Sequence, residues 1–189
     1  MDYFISVLDK YLGQFVCEDA GRYRGQCPQW IRNILIICGV EWNGKTGNGN
    51  QVIDTLVRDY GGIYGESKYG YRIASADNKY DKAGHCWIEV KKDGKWIRYE
   101  QNAKENAGAT SANFGAGTVY CVTKTDKPVP SYFYNIRYAY SPSIDLVIEV
   151  NSKKPEPTPT PTPSNEIPDW FKNWVNGLAD YLKNSVKEN

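Results

Sequence analysis

The sequence predicts an α+β domain in which N-terminal helices pack on an antiparallel sheet, followed by a proline-rich linker and a C-terminal amphipathic helix. Three observations predict it. Before Gly62, apolar residues recur at helical spacing. From Gly84 onward the pattern turns to strands, beginning around an Asp93-Gly94 turn. Residues 155–163 then read Pro-Glu-Pro-Thr-Pro-Thr-Pro-Thr-Pro, a polyproline-type spacer that cannot join a core. Helices first and strands afterwards are the mark of an α+β architecture. The boundaries read as a domain over residues 1–150, a Pro/Thr-rich linker over 151–165 and a helix over 166–189.

Element by element, Phe4, Val7, Leu8 and Tyr11 mark a short first helix with Asp2 as its N-cap. Pro28 suits the first helical position of a second helix, whose Trp30, Ile31, Ile34, Leu35 and Cys38 form an apolar stripe and whose stop is Gly39. A third helix is expected over Gln51 to Tyr60, and residues 62–81 show no clear period. Strands are expected over His85 to Asn102 as a hairpin, over Thr118 to Thr123, over Tyr132 to Tyr140 and over Leu146 to Val150. Past the linker, Trp170, Trp174, Leu178, Leu182 and Val186 form one stripe, widened by Phe171 and Val175. The mixed charges of that helix favour self-association or docking over contact with a membrane surface, where a basic face is usual.

Bulk properties exclude several classes of function. The chain has 189 residues and a 41% hydrophobic fraction, enough for one packed core. Lys and Arg (23) nearly balance Asp and Glu (22), so there is no electrostatic footprint for nucleic acid. The N-terminus shows no basic leader and no long apolar run, so the expectation is synthesis in the cytoplasm without a signal peptide. Five cysteines, odd in number and without a Cys-x-x-Cys pair, argue against a disulfide framework or a structural zinc site. His85 is the only histidine, which rules out the two-histidine zinc motif of metalloproteases.

Two residues stand out chemically. Cys27 precedes Pro28 at a helix start, where unpaired backbone N–H groups favour a thiolate, whereas Cys38 lies at the opposite end of that helix. His85 opens the hairpin. With Asp93 and Gly94 as turn residues, Lys92 faces Lys95, Val90 faces Ile97, Glu89 faces Arg98 and Ile88 faces Tyr99. Continued, this register sets His85 opposite Asn102 and diagonal to Glu100 on one face, with Cys86 turned to the core. An imidazole beside an asparagine or carboxylate has the orienting partner that a general base needs. Trp87, on the face of His85, is a candidate cleft wall.

These features resemble the CHAP family, cysteine- and histidine-dependent amidohydrolases and peptidases of papain-like fold found in phage lysins and bacterial wall hydrolases. The residues that carry the resemblance are Gly25-Gln26-Cys27 opening a helix, Trp42 followed by Gly47-Asn48, Gly84-His85 opening a strand, and Tyr99-Glu100-Gln101-Asn102 closing the hairpin. The match spans most of residues 15–140. It implies Cys27 as nucleophile, His85 as base, Glu100 and Asn102 as its polar partners, Gln26 beside the oxyanion site, and bacterial peptidoglycan as substrate. Some relatives bind calcium through acidic residues around the nucleophile. Ala20 and Gln29 stand where those relatives carry Asp, so no obligatory calcium and no other cofactor is expected. Cys86 follows the histidine where small aliphatic residues are usual, a change expected to stay in the core.

The resemblance leaves open whether the bond cut is the sugar–peptide amide or one within the peptides, and whether the protein is a lysin released through a holin or a virion component. An alternative of another class is an inert wall-binding module that works through its terminal helix.

Overall fold

The computed structural model describes residues 1–16, 26–114 and 117–153. Cys17, the stretch Glu18-Asp19-Ala20-Gly21, Gly25, the proline spacer and the C-terminal amphipathic helix lie outside them. Four α-helices flank the strands: α1 Asp2–Asp9, α2 Cys27–Ile37, α3 Val52–Asp59 and α4 Pro142–Ser152, with a 3-10 turn at Gly49–Gln51 entering α3. The strands are β1 Ile63–Tyr64, β2 Tyr71–Asn78, β3 Asp81–Lys92, β4 Lys95–Glu100, β5 Ser111–Phe114, β6 Gly117–Tyr120, β7 Thr123–Thr125 and β8 Phe133–Tyr140. Six form an antiparallel sheet in the order β1-β8-β2-β3-β4-β7, and β5 and β6 form a separate ribbon. The protein is therefore α+β.

The helix that carries Cys27 follows its sequence signals. Gln26 is the N-cap in extended conformation, Cys27 is the first helical residue, and Trp30, Ile31, Ile34 and Leu35 are buried. Gly39 sits at φ +84°, the left-handed region that glycine tolerates. Its N–H donates to Ile36 O and that of Val40 to Leu35 O, both at 2.9 Å, which closes the helix in a Schellman motif. In α1, by contrast, Met1 holds the N-cap position and Asp2 is the first helical residue.

The expected hairpin register from Lys92–Lys95 to Ile88–Tyr99 is present, with Asp93 and Gly94 both at positive φ. The ladder ends at Ile88–Tyr99, however. Beyond it β3 pairs with β2, setting His85 opposite Ala76 and Cys86 opposite Ser75. Asn102 is outside the strand at φ +70°. The cause is β7, which pairs with the end of β4, and β6, whose Tyr120 accepts from Asn102 N through its carbonyl and donates its own N–H to Asn102 Oδ1.

Other expectations are corrected. Residues 62–81 hold β1 and the central strand β2, which is legible in neither period because Ile73, Ala74, Ser75 and Ala76 are all buried, covered on both faces. Leu146 to Val150 belongs to helix α4, started by Pro142 and buried through Ile144 and Ile148 one turn apart, with Leu146 and Val150 exposed. The domain thus continues two residues past 150. Thr118 to Thr123 divides between β6 and β7, and Cys121 lies between them.

Two clusters share the sheet. The larger gathers Phe4, Trp30, Ile34, Leu56, Ile144 and Ile148 from the helices with Ile73, Cys86, Ile88 and Tyr99 from the strands. The smaller joins Ala74, Ala76 and Trp87 to Phe133, Ile136 and Tyr138. Alternation along β3 turns Cys86 to the first and Trp87 to the second. Trp87 is fully buried and so is not a cleft wall.

Candidate active site

Cys27, His85 and Glu100 come together where α2 meets β3 and β4. Cys27 is 5% exposed, His85 7% and Glu100 1%, so the three form a nearly dry cluster. The Cys27 thiol lies near enough to His85 and Cys86 for their side chains to act on its charge. His85 Nε2 is 2.9 Å from Glu100 Oε2, leaving Nδ1 as the ring nitrogen that serves Cys27. The second oxygen of Glu100 is also engaged: Oε1 accepts from Arg98 Nε at 2.7 Å and from Asn106 Nδ2 at 2.8 Å. Asn106 Nδ2 also donates to Thr123 Oγ1 at 3.0 Å. On its face, His85 carries the Phe133 ring, stacked at 5.3 Å between centroids and 12° between planes.

The polar partner of His85 is thus Glu100, which lies on the same face of β4 as Arg98. Asn102 stands elsewhere. Its Nδ2 donates to Gln26 Oε1 at 3.1 Å and its Oδ1 accepts from Tyr120 N at 3.1 Å, so this asparagine positions Gln26 instead of the imidazole. Gln101 adds to that support, donating through Nε2 to the Val16 and Gln26 carbonyls and accepting from Val16 N. Its Oε1 held by Asn102, Gln26 is fixed in place. It immediately precedes the first N–H groups of α2, which have no acceptor inside the helix.

Electrostatics follow from these contacts. The Cys27 thiol is held well below its ordinary range by the neighbouring Cys86 thiol and by the charge of His85, against the opposing effect of burial. Burial disfavours the imidazolium of His85, but the Cys27 thiolate and Glu100 outweigh it and raise its pKa. Glu100 feels burial too, yet His85 and Arg98 pull its carboxyl down to about 2. These shifts act in the same direction, favouring thiolate, imidazolium and carboxylate together, with the Arg98 guanidinium as the fourth charge. Cys38, at the far end of α2, is pushed up to about 11 by burial.

Activity should depend on pH accordingly. Acid removes the thiolate and alkali removes the imidazolium, so the expected profile is a broad plateau. Its acid limb lies well below the ordinary thiol value of 9.0 and its alkaline limb above the ordinary imidazole value of 6.5. A rate measurement across pH checks this; a single rise centred on the ordinary thiol value would contradict the ion pair.

Arg98, Asn106 and Phe133 were not singled out by sequence. Arg98 was legible only as the register partner of Glu89, and that side-chain pair does not form: Glu89 accepts instead from Arg72 Nε at 2.6 Å and Trp87 Nε1 at 2.9 Å. The two-residue spacing of Arg98 and Glu100 on one strand was the available signal for the pair that does form. Asn106 arrives by a loop and Phe133 from β8, and local spacing marks neither.

Among the described residues no group of three or more His, Cys, Asp or Glu is arranged to hold a metal ion, and no helix is long and apolar enough to cross a membrane. Two cavities, of about 620 and 370 Å³, are lined by residues such as Asn50, Asp54 and Arg137, and Asn78, Tyr80 and Tyr134. They lie apart from Cys27. In comparison with protein-family models, curated proteins and solved structures, the chain matches none.

Proposed function

We propose that this protein is a thiol hydrolase that cleaves amide bonds of bacterial peptidoglycan, with a papain-like catalytic domain of the CHAP kind. The observation that carries the reading is Cys27 at the first position of α2, beside an imidazole that a buried carboxylate holds from behind. A nucleophile, a base and an orienting group in hydrogen-bond series are what acyl transfer by a thiol requires. The substrate class comes from the resemblance of the Gln26-Cys27, Gly84-His85 and Glu100-Gln101-Asn102 motifs.

In this mechanism the thiolate of Cys27 attacks the amide carbonyl and a C–S bond forms. The oxyanion lies against the Cys27 backbone N–H and the NH2 of Gln26. His85 gives its proton to the amide nitrogen, the C–N bond breaks and the amine leaves. Neutral His85 then takes a proton from water, which attacks the thioester and releases the acid and the thiol. Glu100, fixed by Arg98 and Asn106, steadies the imidazole through both halves. In the setting the resemblance implies, such an enzyme acts on a bacterial cell wall, as a lysin or as a virion component.

Digestion of purified peptidoglycan followed by mass spectrometry tests this. New amino termini are expected, and their position tells amidase from endopeptidase. Walls recovered intact, without new termini, would refute hydrolysis.

A further inference from the structure

We infer that the tip of the β2–β3 hairpin is a saccharide subsite, in which Tyr80 and Tyr134 seat a neutral N-acetylated hexosamine of the glycan strand. The inference rests on the wall-hydrolase reading and names the part of the substrate that lies beyond the base. What carries it is a file of aromatic rings leading out from His85. Phe133 stacks on the imidazole, the Tyr132 ring lies 4.6 Å from Phe133 between centroids, and the Tyr80 ring lies 5.8 Å from Tyr132. Exposure rises along the file, from buried His85 through half-buried Phe133 and Tyr132 to Tyr80 at 77%. At its outer end Tyr80 shares a cavity of about 370 Å³ with Tyr134, which is 51% exposed.

The platform is held in place before any ligand arrives. Lys79 N donates to Tyr132 O at 3.0 Å, which ties the hairpin tip to the segment entering β8. Asn78 Oδ1 accepts from Tyr80 N and Asp81 Oδ1 from Ala83 N, both at 2.9 Å, and the Tyr132 hydroxyl donates to Glu105. Aromatic side chains supported in this way lose little freedom on binding. The lining selects the class of ligand. Asp77 and Asp81 are balanced by Lys79 and Lys82, so the cavity has no net charge and suits a neutral ligand better than a phosphate or an acidic peptide. Both oxygens of Asp77 are already engaged, by Asn50 at 2.9 Å and Asn135 at 3.0 Å. A hexopyranose is neutral and has an apolar C–H face to lay on a tyrosine ring. Its hydroxyl and N-acetyl groups match the ammonium, amide and phenol groups around that ring. A stem peptide, with its charged groups and no flat apolar face, matches neither feature.

The test is calorimetric titration of the full chain with chitotetraose, the tetramer of N-acetylglucosamine, with saturation-transfer NMR to report which protons touch the protein. The tetramer carries no peptide, so the readout needs no hydrolysis. Saturable binding is expected. Tyr80→Ala and Tyr134→Ala, both at exposed positions outside the core, should each weaken it about five- to tenfold, the size of one lost ring contact. Tyr80→Phe, which keeps the ring, should bind within about twofold of the wild type. No saturable binding, or equal binding by the wild type and both alanine variants, would overturn the subsite alone, because release of new amino termini from walls decides the hydrolase reading separately. Tyrosine-dependent binding of a free stem peptide in place of the tetramer would overturn the saccharide as occupant. Walls left uncut beside tyrosine-dependent binding of the tetramer would remove the hydrolase reading and keep the saccharide site.

Discussion

Cys27→Ala is expected to abolish wall hydrolysis, by on the order of ten-thousandfold or more, while the domain stays folded. The change removes one sulfur from a site at the edge of the core, and the apolar stripe of α2 that packs the helix is untouched. The stability cost should therefore be about 1 kcal/mol. It also removes one of the two anions that keep His85 protonated. The pKa of His85 should then fall, and because His85 is the only histidine in the chain its ring resonances follow the titration without assignment. Turbidity clearing, circular dichroism and that NMR titration together check the expectation. Clearing at the wild-type rate would remove Cys27 from the mechanism; an unmoved His85 titration would deny the ion pair.

Glu100→Gln is expected to cost both stability and rate. The carboxylate is buried between His85 and Arg98, and the amide that replaces it leaves the Arg98 guanidinium without its counter-ion in a site where Arg98 is 4% exposed. Removing one partner of a buried pair costs about 3 to 5 kcal/mol. The rate should fall on the order of a hundredfold or more, because the imidazolium loses the group that orients it. The pH dependence of stability carries a distinct sign. Glu100 has its carboxyl lowered from 4.5 to about 2 in the folded protein, so its contribution is present above 4.5 and is lost as pH falls toward 2. Glu100→Gln should therefore flatten the acid side of the stability curve. Urea midpoints measured across that window decide it: equal acid slopes in the two proteins would contradict a carboxylate held by His85 and Arg98.

Legibility of this protein followed the range of the interactions. Helix α2 was readable because Pro28, the Trp30 to Leu35 stripe and Gly39 are local signals, and the hairpin because Asp93-Gly94 fixes a register over the pairs next to it. Cys27 and His85 were readable for the same reason, each marked by its own element. The strand β2 was not, since burial on both faces erases alternation, and α4 was not, since a short apolar stretch reads equally well as strand or helix.

By itself the sequence determined the helix start that carries a thiol, the strand that carries an imidazole, and the α+β order of the chain. Only the tertiary structure decided their company. Register extrapolated past Ile88–Tyr99 put Asn102 beside His85, but β7 and β6 draw the chain after Glu100 away, so Glu100 takes the imidazole and Asn102 turns to Gln26. Cys86, read as core, is buried there, in the cluster that also holds Cys27. The physical reason is common to both: hydrogen bonds between neighbours on one hairpin are set by the turn, whereas those made where separate elements converge depend on how each strand and helix is packed by the rest of the chain.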